Sequence, residues 1–358
     1  MTSPLTSGAA PEPALQHFLA ELVASGDASA AVALAGTGER IERTAAAGLA
    51  RRPAVPASPA TRLDFASLTK PFVATLALVL DAAGRLPLAT PLGQIFPGAA
   101  PVLAAHPLAD LLAHRSGLAA WTPLYARCRT REEILALLLS GDLLGAPPDT
   151  YSDLGYVLWG FAAERRLGAT LARLVQSQVL APLGLAAVAP SPGDRPDVAE
   201  SLLDSAKDVE LAAALGLAIA PLEAPPPGVV QDGNARFLRR LGCPLAGHAG
   251  LFGRAEDLWC LGREWLAPGR LLQPEAVARA LGEPEAGAAH AVGWQRRTAE
   301  SIAAAPLGPR SFGQMGYAGG SLFVDPDRRT IAVLLAHRTR READVNGWRR
   351  RFHALVVG

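Results

Sequence analysis

Ser67 and Lys70 stand three residues apart in the segment LDFASLTKPF (63–72), directly ahead of an apolar run that continues to Leu80. If Ser67 opens a helix, Lys70 falls on the same face one turn further along, so a hydroxyl and an amine meet. A helix N-terminus adds unpaired backbone N–H groups that favour developing negative charge. Together these features make an activated serine nucleophile, the starting point of acyl transfer. The spacing alone is weak evidence. The chain holds 2 Lys and 16 Ser, so roughly one such chain in eleven would carry some S-x-x-K by chance. A capped core helix with an incidental lysine is the competing reading.

Tyr151-Ser152-Asp153 is the second group of interest. Ser152 or Asp153 suits the N-cap of a helix that runs to Leu167, and Gly168 suits its stop. Tyr151 then lies on the loop just before a helix, where a side chain can reach a cleft; taken alone, it is equally a packed aromatic. Free Lys and Tyr titrate near ~10, and burial with mutual charge effects is expected to lower one of them enough to act as general base. None of the seven His sits in a recognisable pairing with a Ser. His114, in LLAHRSGL, and His248, in GHAGLF, lie near Gly-containing turns and read as structural. Gly-x-Ser-x-Gly is absent, which leaves an α/β-hydrolase elbow unsupported.

The elements that must position these residues follow from periodicity. Ala14–Ala24 reads as an amphipathic helix, and Ser29–Ala35 and Ile41–Leu49 as a hairpin turning at Gly36-Thr37-Gly38. The segment Phe72–Leu80 is apolar nearly all round, the pattern of a central buried helix, with Pro71 tolerated in its first turn. From Pro87 to about Pro227 the pattern is helical without a clear strand: Leu108–Ala113, Arg131–Leu139, Asp153–Leu167, Leu171–Leu180 and Val209–Leu217. Ala255–Leu266 is a further helix; Ala291–Arg296, Gly320–Val324 and Ile331–Ala336 read as strands, and Gly347–Val357 as a closing helix. The expected fold is α+β: an antiparallel sheet flanked by helices, with an inserted all-helical lobe and a cleft between them. Residues 1–75 and 229–358 would form the α/β lobe, the first part carrying the nucleophile, and 76–228 the insertion.

At 358 residues the chain has ample material for a core, and half of it is hydrophobic. Its net charge of +1 gives no reason to expect nucleic acid or an acidic membrane surface as partner. Cys128, Cys243 and Cys260 are odd in number and lack C-x-x-C, which suggests neither a disulfide framework nor a zinc site. No metal or organic cofactor is expected. The N-terminal stretch has no basic segment followed by an apolar one, and the apolar runs fall short of a membrane span. The expectation is a cytoplasmic protein acting on a small-molecule ester or amide.

Seven ordered stretches carry a family resemblance: FASLTKPF (65–72), LLAHRSGL (111–118), PPDTYSDLGYVLWG (147–160), APLGL (181–185), VVQDGNA (229–235), GHAGLFGRAEDL (247–258) and FGQMGYAGGSLFVDP (312–326). The chain resembles the serine β-lactamase and penicillin-binding-protein-like superfamily in its class C branch, which includes D-alanyl-D-alanine peptidases, D-aminopeptidases and β-lactamase-like carboxylesterases. The resemblance implies that Ser67 is the acylated nucleophile, Lys70 its hydrogen-bonding partner, and Tyr151 the base and leaving-group acid. It implies an oxyanion hole from the backbone N–H groups of Ser67 and Tyr317, the latter following the third motif on an edge strand. Asp153 falls on a substrate-binding position where the class C pattern has Asn, although Tyr-Ser-Asp resembles the esterase and peptidase relatives.

The third motif departs from the family. Lys-Thr-Gly or His-Thr-Gly is usual there, and this chain has Gln314-Met315-Gly316. Gly316 keeps close backbone approach to substrate. The cation and hydroxyl that help bind a substrate carboxylate are lost; Gln314 offers a neutral hydrogen bond and Met315 apolar contact. The leading expectation is therefore an esterase-like serine hydrolase. The alternatives are a β-lactamase or peptidase that meets its carboxylate with an Arg elsewhere, and a silent homologue that only binds ligand.

Overall fold

The computed structural model describes residues 12–203, 205–282 and 288–358. Its strands are β1 (Ala28–Thr37), β2 (Ile41–Arg51), β3 (Val55–Pro56), β4 (Leu63–Asp64), β5 (Ala189–Pro190), β6 (Leu251–Gly253), β7 (His290–Ala291), β8 (Trp294–Arg296), β9 (Phe312–Met315), β10 (Ser321–Asp325) and β11 (Thr330–Arg338). Eight of them form one antiparallel sheet in the order β3-β2-β1-β11-β10-β9-β8-β7. The central pair, β1 and β11, comes from opposite ends of the chain, with Val32 opposite Leu335 and Leu34 opposite Val333.

Alternation along β1 sorts its side chains between two layers. Ala31, Ala33 and Ala35 meet Leu15, Phe18, Leu19 and Leu22 of helix Pro13–Ala24 and Phe352 of helix Val345–Val357. Val32 and Leu34 join the larger core on the other face, with Leu258, Trp259 and Leu261 of helix Ala255–Leu266. That helix lies close on the sheet because Gly262 has no side chain; a Cβ there would come within 3.0 Å of Ile331 and 3.2 Å of Leu322. Beyond it, helix Thr69–Ala82 runs through the middle of the protein, with Lys70 through Leu78 all buried. The helices Leu108–Leu112, Arg131–Leu139, Asp153–Leu167 and Leu171–Val175 gather around it. This is the β-lactamase/transpeptidase-like α+β architecture that the sequence led us to expect.

Arg131–Leu139, Asp153–Leu167 and Ala255–Leu266 are helices over the expected residues. Three expectations need correction. Ala291–Arg296 is not one strand but the tight hairpin β7–β8; Gly293 turns the chain at φ +87°, and any side chain there would strike Ala74. The helix at Leu171 keeps α geometry only to Val175 and continues to Leu180 as a π turn. The helical block does contain a strand, β5, which pairs with β6 in a small sheet with β4. At two residues, β5 is too short to leave an alternating pattern. Among the described residues no helix is long and apolar enough to cross a membrane.

His337 on β11 ties the sheet to the segment before Ser67. Its Nε2 accepts the Asp64 backbone N–H at 2.9 Å, so its proton sits on Nδ1, which donates to the Glu200 carbonyl at 2.9 Å. Burial lowers its pKa from the ordinary 6.5 to about 4. The unfolded chain therefore binds the extra proton between these values, and this stabilisation, complete above pH 6.5, is lost as pH falls toward 4. In urea unfolding, the stability advantage of wild type over His337→Gln should shrink by about 2 kcal/mol from pH 7 to pH 5. An advantage that does not vary with pH would mean that His337 is not held neutral.

Candidate active site

Ser67 lies in a 3₁₀ turn, Ala66–Leu68, that runs straight into helix Thr69–Ala82. The turn is strained at its first residue: Ala66 has φ +47°, a region that side chains other than Gly disfavour. Three contacts hold it. Asp64 Oδ1 accepts the Ala66 N–H at 2.8 Å, the Leu251 carbonyl accepts the Phe65 N–H at 2.9 Å, and Thr69 Oγ1 accepts the Leu251 N–H at 3.2 Å. Asp64 also accepts the Gln231 N–H at 2.8 Å, and burial pushes its carboxyl up to about 6. Sequence reading passed over Asp64. Its signal was an acid standing between the apolar Leu63 and Phe65 just before the nucleophile.

The Lys70 ammonium is fully buried and uses all three of its N–H bonds. It donates to Ser67 Oγ at 2.9 Å, to Asp153 Oδ1 at 2.6 Å and to the His248 carbonyl at 3.3 Å. Its nitrogen also lies 4.7 Å from the centre of the Tyr151 ring. Burial works against its charge, but the adjacent Asp153 carboxylate more than offsets this and holds Lys70 above its ordinary value. Burial pushes the Tyr151 phenol up, Lys70 draws it down without cancelling the effect, and Asp153 pushes it up again. This corrects the expectation that one of the two would be lowered. Burial thus keeps Tyr151 a neutral phenol, and the neighbouring Asp153 keeps Lys70 an ammonium.

Tyr151 is placed by a loop bonded at both ends. Asp149, at φ +63°, accepts from the Ala289 N–H at 2.6 Å and pairs with His290 at 2.7 Å. His114 Nδ1 accepts the Ser152 N–H at 2.8 Å, and its ring packs 4.4 Å from that of Tyr151. Burial holds His114 well below its ordinary value, so it stays neutral. Ser152 Oγ donates to the Ala119 carbonyl at 2.7 Å and caps the helix that begins at Asp153.

Across the cavity, β9 is not an edge strand throughout. It pairs with β8 at Phe312 and Gly313, and only past the end of β8, at Gln314 and Met315, does its side open. Gly316 follows, and a Cβ on it would lie 2.8 Å from the Phe65 carbonyl. The missing side chain is what lets this strand end abut the nucleophile turn. Gln314 corrects a second expectation. It is 1% exposed and does not face the cavity; its Oε1 accepts the Met315 N–H at 3.0 Å. In register opposite Leu322, it points with that residue toward the core.

The cavity so formed measures about 420 Å³. Ser67, Tyr151, Asp153, Met315, Gly316 and Tyr317 line it, together with Trp121 and residues from helix Ala206–Ala214. Lys207, Asp208 and Leu211 of that helix were missed in the sequence, where Lys207 is one of only two lysines. Lys207 Nζ lies 4.9 Å from the Tyr317 ring, and the Arg338 guanidinium lies 3.7 Å from the same ring. Arg349 also lines the cavity, but Nη2 donates to the Gly316 and Gly320 carbonyls, both at 2.7 Å, and Nη1 to Asn346. Burial lowers its pKa to about 9. Asp153, Asp232 and His248 offer ligand atoms within 4.8 Å of one another. The Lys70 ammonium bonds to two of these three residues, and a metal ion there would meet its charge.

The same architecture recurs in proteins of low sequence identity. EstCE1, a hydrolase with promiscuous acyltransferase activity, superposes with a TM-score of 0.77 at 21% identity, covering 96% of this chain and 97% of that one. A class C β-lactamase from Rhodobacter sphaeroides gives 0.71 at 19%, covering 96% and 99%. A penicillin-binding protein homologue from Caulobacter crescentus gives 0.71 at 19%, covering 98% of each chain. No curated protein matches the sequence. The family model described as Beta-lactamase matches residues 15–355. The chain, with Ser67 at the wall of its cavity and Lys70 buried behind it, belongs to the Beta-lactamase family of hydrolases.

Proposed function

We propose that the protein is an esterase-like serine hydrolase that works through an acyl-Ser67 intermediate. The observation that carries this reading is the 2.9 Å bond from Lys70 Nζ to Ser67 Oγ at the wall of the cavity. Ser67 attacks the ester carbonyl, and the backbone N–H groups of Ser67 and Tyr317 stabilise the oxyanion, by roughly 3 kcal/mol each. Tyr151, neutral at rest, is ready to give its proton to the departing alkoxide. Water then enters in place of the alcohol and releases the acid by the reverse sequence. Keeping a charged lysine dry is costly. A protein that merely bound ligand would gain nothing from aiming it at a serine.

The substrate preference follows from Met315. A carboxylate beside its apolar side chain would be partly desolvated, with Lys207, which lies over the Tyr317 ring, as the cation across the cavity, whereas a neutral ester needs no charge partner. Arg349 favours the second reading, a carboxylate-bearing substrate, because it lines the cavity. Its Nη groups, however, are already bonded to two carbonyls and to Asn346. We therefore expect p-nitrophenyl butyrate to be turned over with a higher kcat/KM than a cephalosporin or a D-Ala-D-Ala peptide. Met315→Thr should move the ratio toward the carboxylate substrates. A wild type that prefers either carboxylate substrate would reverse the assignment in favour of a lactamase or peptidase.

A further inference from the structure

The ammonium of Lys70 bridges two groups of opposite character: a hydroxyl that must lose a proton, at 2.9 Å, and a carboxylate able to take one, at 2.6 Å. Asp153, 2.6 Å away, favours the ammonium form of Lys70, and an ammonium has no lone pair to accept the Ser67 proton. We propose that Asp153 is the proton acceptor of the acylation step, reached through Lys70. This rests on the serine-hydrolase reading above and adds to it the destination of the proton.

The sequence balances as follows. Lys70 passes one proton to Asp153 Oδ1, and the freed amine turns by about 120° about its Cε–Nζ bond. It then takes the Ser67 proton as Oγ forms its bond to the ester carbonyl carbon. At that point Asp153 is a neutral acid, Lys70 is again an ammonium, and the negative charge lies on the tetrahedral oxygen. When the C–O bond to the alcohol breaks, Tyr151 protonates the leaving oxygen. Lys70 restores the phenol and is itself restored by Asp153. In net, one proton passes from Ser67 to the alcohol through the relay, and the three groups return to their starting forms.

The placement suits this role. Asp153 starts helix Asp153–Leu167 and lines the cavity, and its side chain is 19% exposed. The titratable groups facing it are Lys70, the neutral Tyr151 and the Asp232–His248 pair, which is bonded at 2.9 Å. Asp232 raises His248 against the effect of burial, so those two side chains are partnered with each other. The charge that Asp153 balances is therefore that of Lys70.

The test replaces Asp153 with the residue of the class C pattern. In Asp153→Asn, kcat/KM for p-nitrophenyl butyrate should fall roughly a hundredfold or more. The acid limb of its pH profile should shift, and its proton inventory in mixed H2O and D2O should change from two moving protons to one. In Asp153→Ala, added formate should restore rate in a saturable way. Retention of rate within about threefold in Asp153→Asn would overturn the proposal, since Lys70 alone would then suffice. So would a loss with pH profile and inventory unchanged, or a folded Asp153→Ala that formate does not rescue, either of which would leave Asp153 as a counter-charge only. Labelling of wild-type Ser67 by a fluorophosphonate separates the two levels. If the label is absent, the serine-hydrolase reading falls; if it is present, only the proton route is in question.

Discussion

Ser67→Ala abolishes both turnover and covalent labelling. With the nucleophile gone, the acyl-enzyme route closes, and kcat should drop by roughly 10⁴ to 10⁶. A fluorophosphonate probe should add one label to the wild type and none to the variant, as read by intact-protein mass. The three other serines in the matched motifs, Ser116, Ser152 and Ser321, are buried and do not line the cavity. Ser116 is 2% exposed, and Ser152 is equally buried, with its hydroxyl committed to the Ala119 carbonyl. A label that persists in the variant, or that maps to Ser116 or Ser152, would move the nucleophile elsewhere.

Lys70→Ala and Tyr151→Phe each slow acylation by roughly 10² to 10⁴, and together by much less than the product. Lys70 contacts both Ser67 and the Tyr151 ring, and in the proposed route it restores the phenol after each turnover. Once Lys70 is missing, the Tyr151 hydroxyl loses its proton source, so its own removal costs little more. The measurement is the pre-steady-state acylation rate of the wild type, the two single variants and the double variant. Losses that multiply would mean the two groups act separately, with one of them only shaping the site. Lys70→Ala also strands the Asp153 carboxylate beside an apolar hole, so its melting temperature must be read alongside.

Local chemistry made much of the scaffold legible. The cap at Ser152 and the stop at Gly168 bracket helix Asp153–Leu167, and period-two patterning located β1, β2 and β11. Each of these signals lies within a few residues of what it specifies. The pairing of Ser67 with Lys70 is of the same kind, since one helical turn joins them. The third-motif departure at Gln314-Met315 was also readable as a loss of cation and hydroxyl.

Tertiary structure decided the electrostatics and the facing of that strand. Alternation states that Gln314 and Met315 face opposite ways; the helix Ala255–Leu266, packed on one side of the sheet, determined that Gln314 is the one turned inward. Burial raises Tyr151, but the direction of the Lys70 shift hangs on a carboxylate 83 positions away, whose distance no local pattern encodes. The support of the nucleophile turn is more remote still: Asp64 is bonded to Gln231 and to His337, 167 and 273 positions away. Helix Ala206–Ala214 reaches the cavity only because the chain folds back over it. Residue type and spacing thus named the serine, the lysine and the tyrosine. Which of them carries charge, and where a proton leaving Ser67 can go, depends on desolvation and on partners that only folding brings within 3 Å.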